Sequence, residues 1–316
     1  MTRRAVLLAG ASPVACREQK RPLRLLTFPE SYGHHLSIGQ GFYKAAGIDV
    51  AATYFQSFPK MMEALLAGDG DVATAYYDAL LPLAAAGRDT VAFLGLARRP
   101  GSVLASATAQ SIEELAGKIV GIPGPGSSSH NMLNAILRKH GIDIASVKTA
   151  AIGVAAGAVA AVEQRKVDAA MLTNLGYATL HLRMPKVRLL ADLRTPDGAA
   201  RYLGSAEYPS LCLVARASWL DANVNDARAF AKAFLRANQW MSAHTAEQIR
   251  EALPSEARAA DPAADSEAIR GMLPTLSVDG KVSEDGAAAV LAITAASVPG
   301  LESLRGKTAS TLRTLL

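Results

Sequence analysis

Apolar stretches of strand length alternate along this chain with helical stretches of about ten residues, most closed by a glycine, and the alternation runs twice. Residues 23–28 (Leu-Arg-Leu-Leu-Thr-Phe) read as a buried strand, followed by a loop at Ser31-Tyr32-Gly33-His34-His35 and a helix over 36–46 stopped by Gly47. Strands over 48–55, 71–75 and 90–96 enclose a helix over 57–67, stopped by Gly68, and a second that ends at Ala86 before Gly87. The pattern restarts after Ser111-Ile112-Glu113-Glu114, which resembles a capping box. Strands over 118–122, 147–152, 169–172 and 187–193 then alternate with helices over 130–140 and 155–165. Such a chain forms βαβ units on parallel sheets, and two sets predict two α/β lobes. Residues 208–215 are again extended and apolar. A long helix over 226–245 carries Phe230, Phe234, Leu235 and Trp240, and the rest is helical with breaks at Pro254, Pro262 and Pro274. The expected course is lobe one over 23–104, lobe two over 105–206, and a return to lobe one with a helical C-terminal region over 207–316.

The length of 316 residues suits two modest domains better than one core. Half the residues are hydrophobic and 19% are charged, which excludes a disordered chain. No apolar run reaches the roughly 18 residues a transmembrane helix needs. Residues 1–22 read as an export signal and mature N-terminus. Met1-Thr2-Arg3-Arg4 is basic, residues 5–11 are apolar, and Ala9-Gly10-Ala11 and Ala15 are small enough for cleavage. Thr2 to Leu7 also fits a twin-arginine signal, so both export routes stay open. Cys16 follows Val14-Ala15 and resembles a bacterial lipoprotein site, with Pro13 where such sites usually carry Leu. The chain is therefore expected in the periplasm, with or without a lipid anchor at Cys16. Cys212, between Leu211 and Leu213, reads as a buried, inert thiol, and two cysteines make neither a disulfide framework nor a zinc spacing. The formal charge of +5 falls to +3 without residues 1–15, and no basic cluster with interleaved aromatics appears, so nucleic acid is not an expected partner.

The residues with binding chemistry cluster where strands end. Gly124-Pro125-Gly126-Ser127-Ser128-Ser129-His130-Asn131 lies between a strand and a helix. Free N–H groups and the helix dipole make such a start a seat for an anionic group. Ser127, Ser128 and Ser129 add donors, one of them as the N-cap. No Lys-Ser or Lys-Thr pair follows the glycines, so this is not a P-loop. Ser31, Tyr32 and His34 follow the first strand, Gln56 and Ser57 the second, Tyr76 and Tyr77 the third, and Asn174 takes the matching place in lobe two. Ligands of open α/β sheets bind outside such strand ends. One of Tyr76 and Tyr77 is expected in the core, and the other against a ligand. His34-His35 has no nearby Cys or carboxylate to complete a metal set, so hydrogen bonding is the expected role. No Gly-x-Ser-x-Gly elbow or carboxylate pair at a strand end supplies a catalytic set, and no cofactor motif is present.

The order of motifs resembles the nitrate/sulfonate/taurine-type solute-binding proteins of bacterial ABC importers, a family that also includes binders of a thiamine pyrimidine precursor. Gly41-Phe42-Tyr43-Lys44-Ala45-Ala46-Gly47-Ile48-Asp49-Val50 is similar to the family's G-F-F-x-x-x-G-L-D-V. Ala64-Leu65-Leu66-Ala67-Gly68-Asp69-Gly70-Asp71 is similar to A-L-x-x-G-x-x-D, with one extra residue. Leu115 to Ile122 and Gly126 to His130 resemble L-x-G-K-x-V-G and G-S-S-x-H. Ala160 to Ala169 resembles A-L-x-x-G-x-V-D-A, with Arg165 or Lys166 where Gly is usual. The resemblance implies a two-lobed type II periplasmic-binding-protein fold with crossovers near 97–107 and 207–215. It also implies a monomeric, non-catalytic receptor that takes a small solute between its lobes and passes it to an ABC importer permease. The donors at 126–130 point to a small organic anion, sulfonate- or carboxylate-like. Asn174-Leu175 stands where relatives often carry an acidic-proline pair. The alternative is an enzyme of thiamine- or menaquinone-type cofactor biosynthesis on the same fold.

Overall fold

The leading strand β1 (Leu23–Thr27) pairs in parallel with β2 (Val50–Tyr54) on one side and β3 (Val72–Tyr76) on the other. This computed structural model describes residues 21–55, 57–305, 311–313 and 315–316. The export signal, Cys16 and the candidate Gln56 lie outside the described residues. Sheet one continues through β10 (Leu211–Ala215) to β4 (Val91–Gly95), giving the order β2-β1-β3-β10-β4. Sheet two contains β5 (Ser102–Ser106), β6 (Ile119–Ile122), β7 (Lys148–Ala151), β8 (Ala169–Thr173) and β9 (Arg188–Asp192), in the order β7-β6-β8-β5-β9.

Both sheets are mixed, which corrects the all-parallel expectation. β10 runs antiparallel to β3 and β4, and β5 antiparallel to β8 and β9. The cause is topological. β5 and β10 each enter their sheet directly from the other one, so they run opposite to the strands that end at the crossing. Residues 102–106, placed within a crossover by sequence alone, are β5 itself.

Between the strands lie α1 (Tyr32–Gly39), α2 (Phe42–Ala45), α3 (Phe58–Ala67) and α4 (Tyr77–Ala85) on sheet one. Sheet two carries α5 (Ser128–Lys139), α6 (Ala156–Glu163), α7 (Asn174–Arg183) and α8 (Pro196–Leu203). The single helix expected over 36–46 is two helices. Gly41 takes φ 69°, a left-handed conformation that interrupts the ladder, and α1 begins early enough to absorb Tyr32, His34 and His35. The C-terminal part holds α9 (Ala217–Ala222), α10 (Val224–Ser242), α11 (Ala246–Ala252), α12 (Pro262–Met272) and α13 (Glu284–Ala295). α10 buries Ala227, Phe230, Ala231, Phe234 and Met241 against sheet one and α1, the spacing of one helical face.

Several features tie the halves together. α13 packs on α4 from sheet one and on α5 and α8 from sheet two, so one apolar cluster runs from Leu26 and Tyr77 through Val290 to Leu133 and Ile136. At the crossings, residues 96–101 and 204–210 lie side by side, with Tyr208 N donating to Arg98 O and Ser210 N to Ala97 O. A third pass joins them where Arg98 N donates to Thr275 O and Ser277 N to Leu96 O. The Arg99 side chain, in a residue only 8% exposed, donates to the carbonyls of Arg194, Ala206 and Pro274. One guanidinium thus serves all three passes. Cys212 is buried as expected, its Sγ 3.3 Å from Ala75 O, and burial pushes its thiol well above the ordinary range.

Candidate functional site

The parallel strands of sheet one end at Thr27, Tyr54 and Tyr76, and those of sheet two at Ile122, Ala151 and Thr173. A helix follows each end. The two sets meet where Ser128 Oγ, in the first turn of α5, donates to Asp78 Oδ1, in the first turn of α4, at 2.7 Å. The starts of α4 and α5 are therefore in contact.

Ser127 is the N-cap of α5, its Oγ accepting from His130 N at 3.3 Å, and the helix begins at Ser128, two residues earlier than expected. The N–H groups of Ser128 and Ser129, in the first turn, have no intrahelical acceptor. Gly126 N donates to His130 Nδ1 at 3.1 Å, and burial lowers the pKa of that imidazole. Ser129 is half-buried and adds a hydroxyl with no partner among the described residues. On the facing side, Ser31 and Ser57 are the N-caps of α1 and α3, and neither hydroxyl makes a capping bond.

The two tyrosines divide as the sequence suggests. Tyr77 is 0% exposed and shares a 2.8 Å hydrogen bond with Thr311 Oγ1 in the core. Tyr76 is 42% exposed, with ring centroids 6.4 Å from Phe28 and 6.5 Å from Phe58. Its hydroxyl nonetheless stands above the ordinary phenol range, through burial first and then the carboxylates of Asp78 and Glu30. The ring is thus part exposed and packed on two sides by Phe28 and Phe58. Burial likewise raises the Asp78 carboxyl, which the Ser128 hydrogen bond partly offsets.

Three further candidates contact residues other than the Ser128–Asp78 pair. Tyr32 spends its hydroxyl on Asp265 Oδ1 of α12 at 3.0 Å, and joins α1 to the C-terminal helices. Asn174 opens α7 against the first crossing, where a Cβ on Gly101 would stand 2.7 Å from its amide nitrogen. Its Oδ1 is buried without a partner among the described residues. His34 is 1% exposed and pairs through Nδ1 with the Tyr43 hydroxyl at 3.1 Å, so it is a core residue beneath the cleft wall. Among the described residues no three His, Cys, Asp or Glu side chains gather as a metal site.

Burial, with the neighbouring His35 second, lowers the His34 pKa from 6.5 to about 4. The unfolded chain therefore takes up a proton between those values that the folded chain refuses, and stability falls as pH drops from 6.5 towards 4. The loss amounts to roughly 3 kcal/mol at 1.36 kcal/mol per unit. His34→Gln removes this component, so urea unfolding at pH 6.5 and pH 4 is expected to show a flatter dependence in the variant. Equal slopes in the two proteins overturn the assignment.

Sequence reasoning missed Phe28, Phe58 and Glu30 as neighbours of Tyr76. Asp78, one residue after Tyr77, was likewise not among the candidates. The available signal was an acid in the first turn of a helix at a strand end. Its partner Ser128 lies fifty residues away.

A family model described as NMT1/THI5 like matches residues 29–248. No curated protein matches the chain in sequence. Among solved structures, a protein of Bordetella bronchiseptica RB50 is 28% identical, with a TM-score of 0.80 over 93% of this chain and 95% of that one. The periplasmic aliphatic sulphonate binding protein SsuA from Escherichia coli is 22% identical, with a TM-score of 0.71 over 87% and 86%. The alkanesulfonate-binding protein SsuA from Xanthomonas axonopodis pv. citri, bound to MOPS, is 18% identical, with a TM-score of 0.70 over 93% and 98%. The shared architecture is the two-lobed α/β type II periplasmic-binding fold. No helix of the described residues is long and apolar enough to cross a membrane.

Proposed function

The chain belongs to the NMT1/THI5-like family, and on that premise we propose that it is a non-catalytic, monomeric receptor of the periplasm. It captures a small organic acid between its lobes and delivers it to an ABC importer. The observation that carries this reading is the Ser128–Asp78 bond, which joins a helix start of lobe two to one of lobe one. An acidic group of the solute, sulfonate or carboxylate, lies at the first turn of α5, on the N–H groups of Ser128 and Ser129 and the Ser129 hydroxyl. Ser31, Ser57 and Tyr76 face it from lobe one. The solute favours the closed form by its greater affinity for it, and the importer reads that form. The sulphonate binding of the two SsuA relatives agrees with an acidic solute.

A thermal-shift screen of sulfonates, carboxylates, nitrate and pyrimidines tests the reading. A true ligand at about 100-fold its dissociation constant stabilises the protein by roughly 2.7 kcal/mol. A flat response to every anion sinks the acidic-solute reading. Turnover of a bound compound sinks the receptor reading in favour of an enzyme on this fold.

A further inference from the structure

The outer face of α10 carries a charge pattern that the fold does not use. Arg228, Lys232 and Arg236 recur every four residues, all exposed, and form one stripe over about 12 Å of helix. Like charges at this spacing repel and weaken a helix. Asp226 is the one acid of α10, and none of the three bases makes an ion pair among the described residues. Arg24, Arg98, Arg194, Arg250 and Arg270, by contrast, each meet a carboxylate. Arg228 Nε donates only to the Leu315 carbonyl, at 3.1 Å, and Arg236 lies 5.1 Å over the Phe42 ring.

The stripe borders a groove of about 360 Å³ whose apolar lining is Phe42, Ala46 and Ala229, none of them fully buried. The short helix α2, which supplies Phe42, also carries the exposed Lys44. Residues 46–49 join α2 to the start of β2, and Leu23, at the start of β1, shares an apolar cluster with Tyr43, Ala227 and Phe230. The groove therefore sits by the strand starts of lobe one, whereas Ser31, Ser57 and Tyr76 mark the strand ends. The chain enters lobe one at this same end. Cys16 stands seven residues before Leu23, at most about 25 Å away along the chain.

A row of cations beside an apolar groove matches an anionic amphiphile. Phosphates pair with guanidinium and ammonium groups, while glycerol and upper acyl carbons cover Phe42 and the alanines. We propose that this face of α10 and α2 docks on an anionic phospholipid surface. Basic groups gain from the negative potential of such a surface, which decays within a Debye length. A lone phosphate ion would leave the apolar lining bare, and it is too short to meet a stripe of about 12 Å. An array of headgroups meets both. The proposal concerns the opposite end of the strands from the proposed solute site and does not depend on it.

Co-sedimentation of the whole chain with vesicles tests it. The vesicles are phosphatidylcholine alone, or phosphatidylcholine with an equal part of phosphatidylglycerol, in about 20 mM and about 500 mM NaCl. At low salt the parent is expected to partition at least about tenfold more onto the phosphatidylglycerol vesicles, and high salt is expected to remove the difference. The Arg228→Gln/Lys232→Gln/Arg236→Gln variant is expected to lose about 100-fold in partitioning, at about fivefold per cation. Lys139→Gln/Lys148→Gln/Lys166→Gln removes three exposed charges from lobe two and is expected to bind like the parent. Residues 1–15 are the same in every variant, so binding through them cancels. Lys232→Glu alone, with an expected loss of at least about fivefold, repeats the test on one exposed side chain. Far-UV circular dichroism checks that each variant folds. Equal partitioning of the parent onto both vesicles, or an equal loss in the two triple variants, overturns the proposal and leaves the receptor reading standing. Retention on immobilised polyglutamate without binding to phosphatidylglycerol overturns it in favour of an acidic protein partner.

Discussion

Replacing Arg99 by alanine is expected to lower the unfolding free energy by roughly 3–5 kcal/mol, because three carbonyls from three chain segments lose one shared donor. Each buried acceptor left without a partner costs about 1–3 kcal/mol, and the crossing leaves little room for water to replace the guanidinium. Arg99→Lys is expected to recover only part of the loss. A single ammonium is a point donor and does not reproduce a planar fork that spans three directions. Guanidinium chloride unfolding reads the effect as a lower midpoint with an unchanged slope. A loss below about 1 kcal/mol in the alanine variant overturns the view that this side chain holds the crossings together.

Replacing Asp265 by alanine is expected to cost a comparable 3–5 kcal/mol, the range for removing one partner of a buried ion pair. Asp265 is 0% exposed. It accepts from the Tyr32 hydroxyl at 3.0 Å and Ala259 N at 3.1 Å, and lies 3.2 Å from Arg250 Nε. Three groups from two helices and a loop thus lose one acceptor. Asp265→Asn keeps an oxygen for Tyr32 but leaves Arg250 without its counter-charge, so an intermediate loss is expected. Tyr32→Phe removes one hydrogen bond, for about 1 kcal/mol. That order, alanine above asparagine above phenylalanine, is read from urea midpoints. An Asp265→Ala variant as stable as the parent overturns the anchoring role. Because α12 packs on α7 of lobe two, loosening Asp265 also frees the lobe-one wall from the helix that spans the seam.

Much of the fold was legible because it is written locally. Gly47, Gly68, Gly87 and Gly141 take positive φ, as a residue ending a helix there requires, and the strands begin and end within a few residues of the apolar runs. The paired strand–helix sets in each half were visible for the same reason. The antiparallel places of β5 and β10 were not, because a strand's direction in a sheet depends on where the chain enters it. The break at Gly41 was missed because 36–46 reads as one helical stretch, and only the backbone shows that the glycine left the helix.

The site divides in the same way. Residue types at strand ends made Ser127–Ser129, Ser31, Ser57 and Tyr76 candidates, since an α/β topology puts the ends of parallel strands on one side. Type and position could not separate Tyr76 from Tyr77, nor tell that Tyr32 and His34 would spend their polar atoms on Asp265 and Tyr43. Each of those outcomes depends on a partner from another element.

By itself, then, the sequence determined two α/β units, the order of their elements, and the strand ends where binding chemistry gathers. These follow from periodicity, turn residues and helix caps, which act over a few residues. Only the tertiary structure decided which side chains remain free to meet a solute. It brought Phe28, Phe58 and Tyr76 together, set Asp78 against Ser128, and committed Arg99 and Asp265 to holding the halves in place. Hydrogen bonds and charge interactions of buried groups depend on neighbours distant in the chain, and packing alone selects those neighbours.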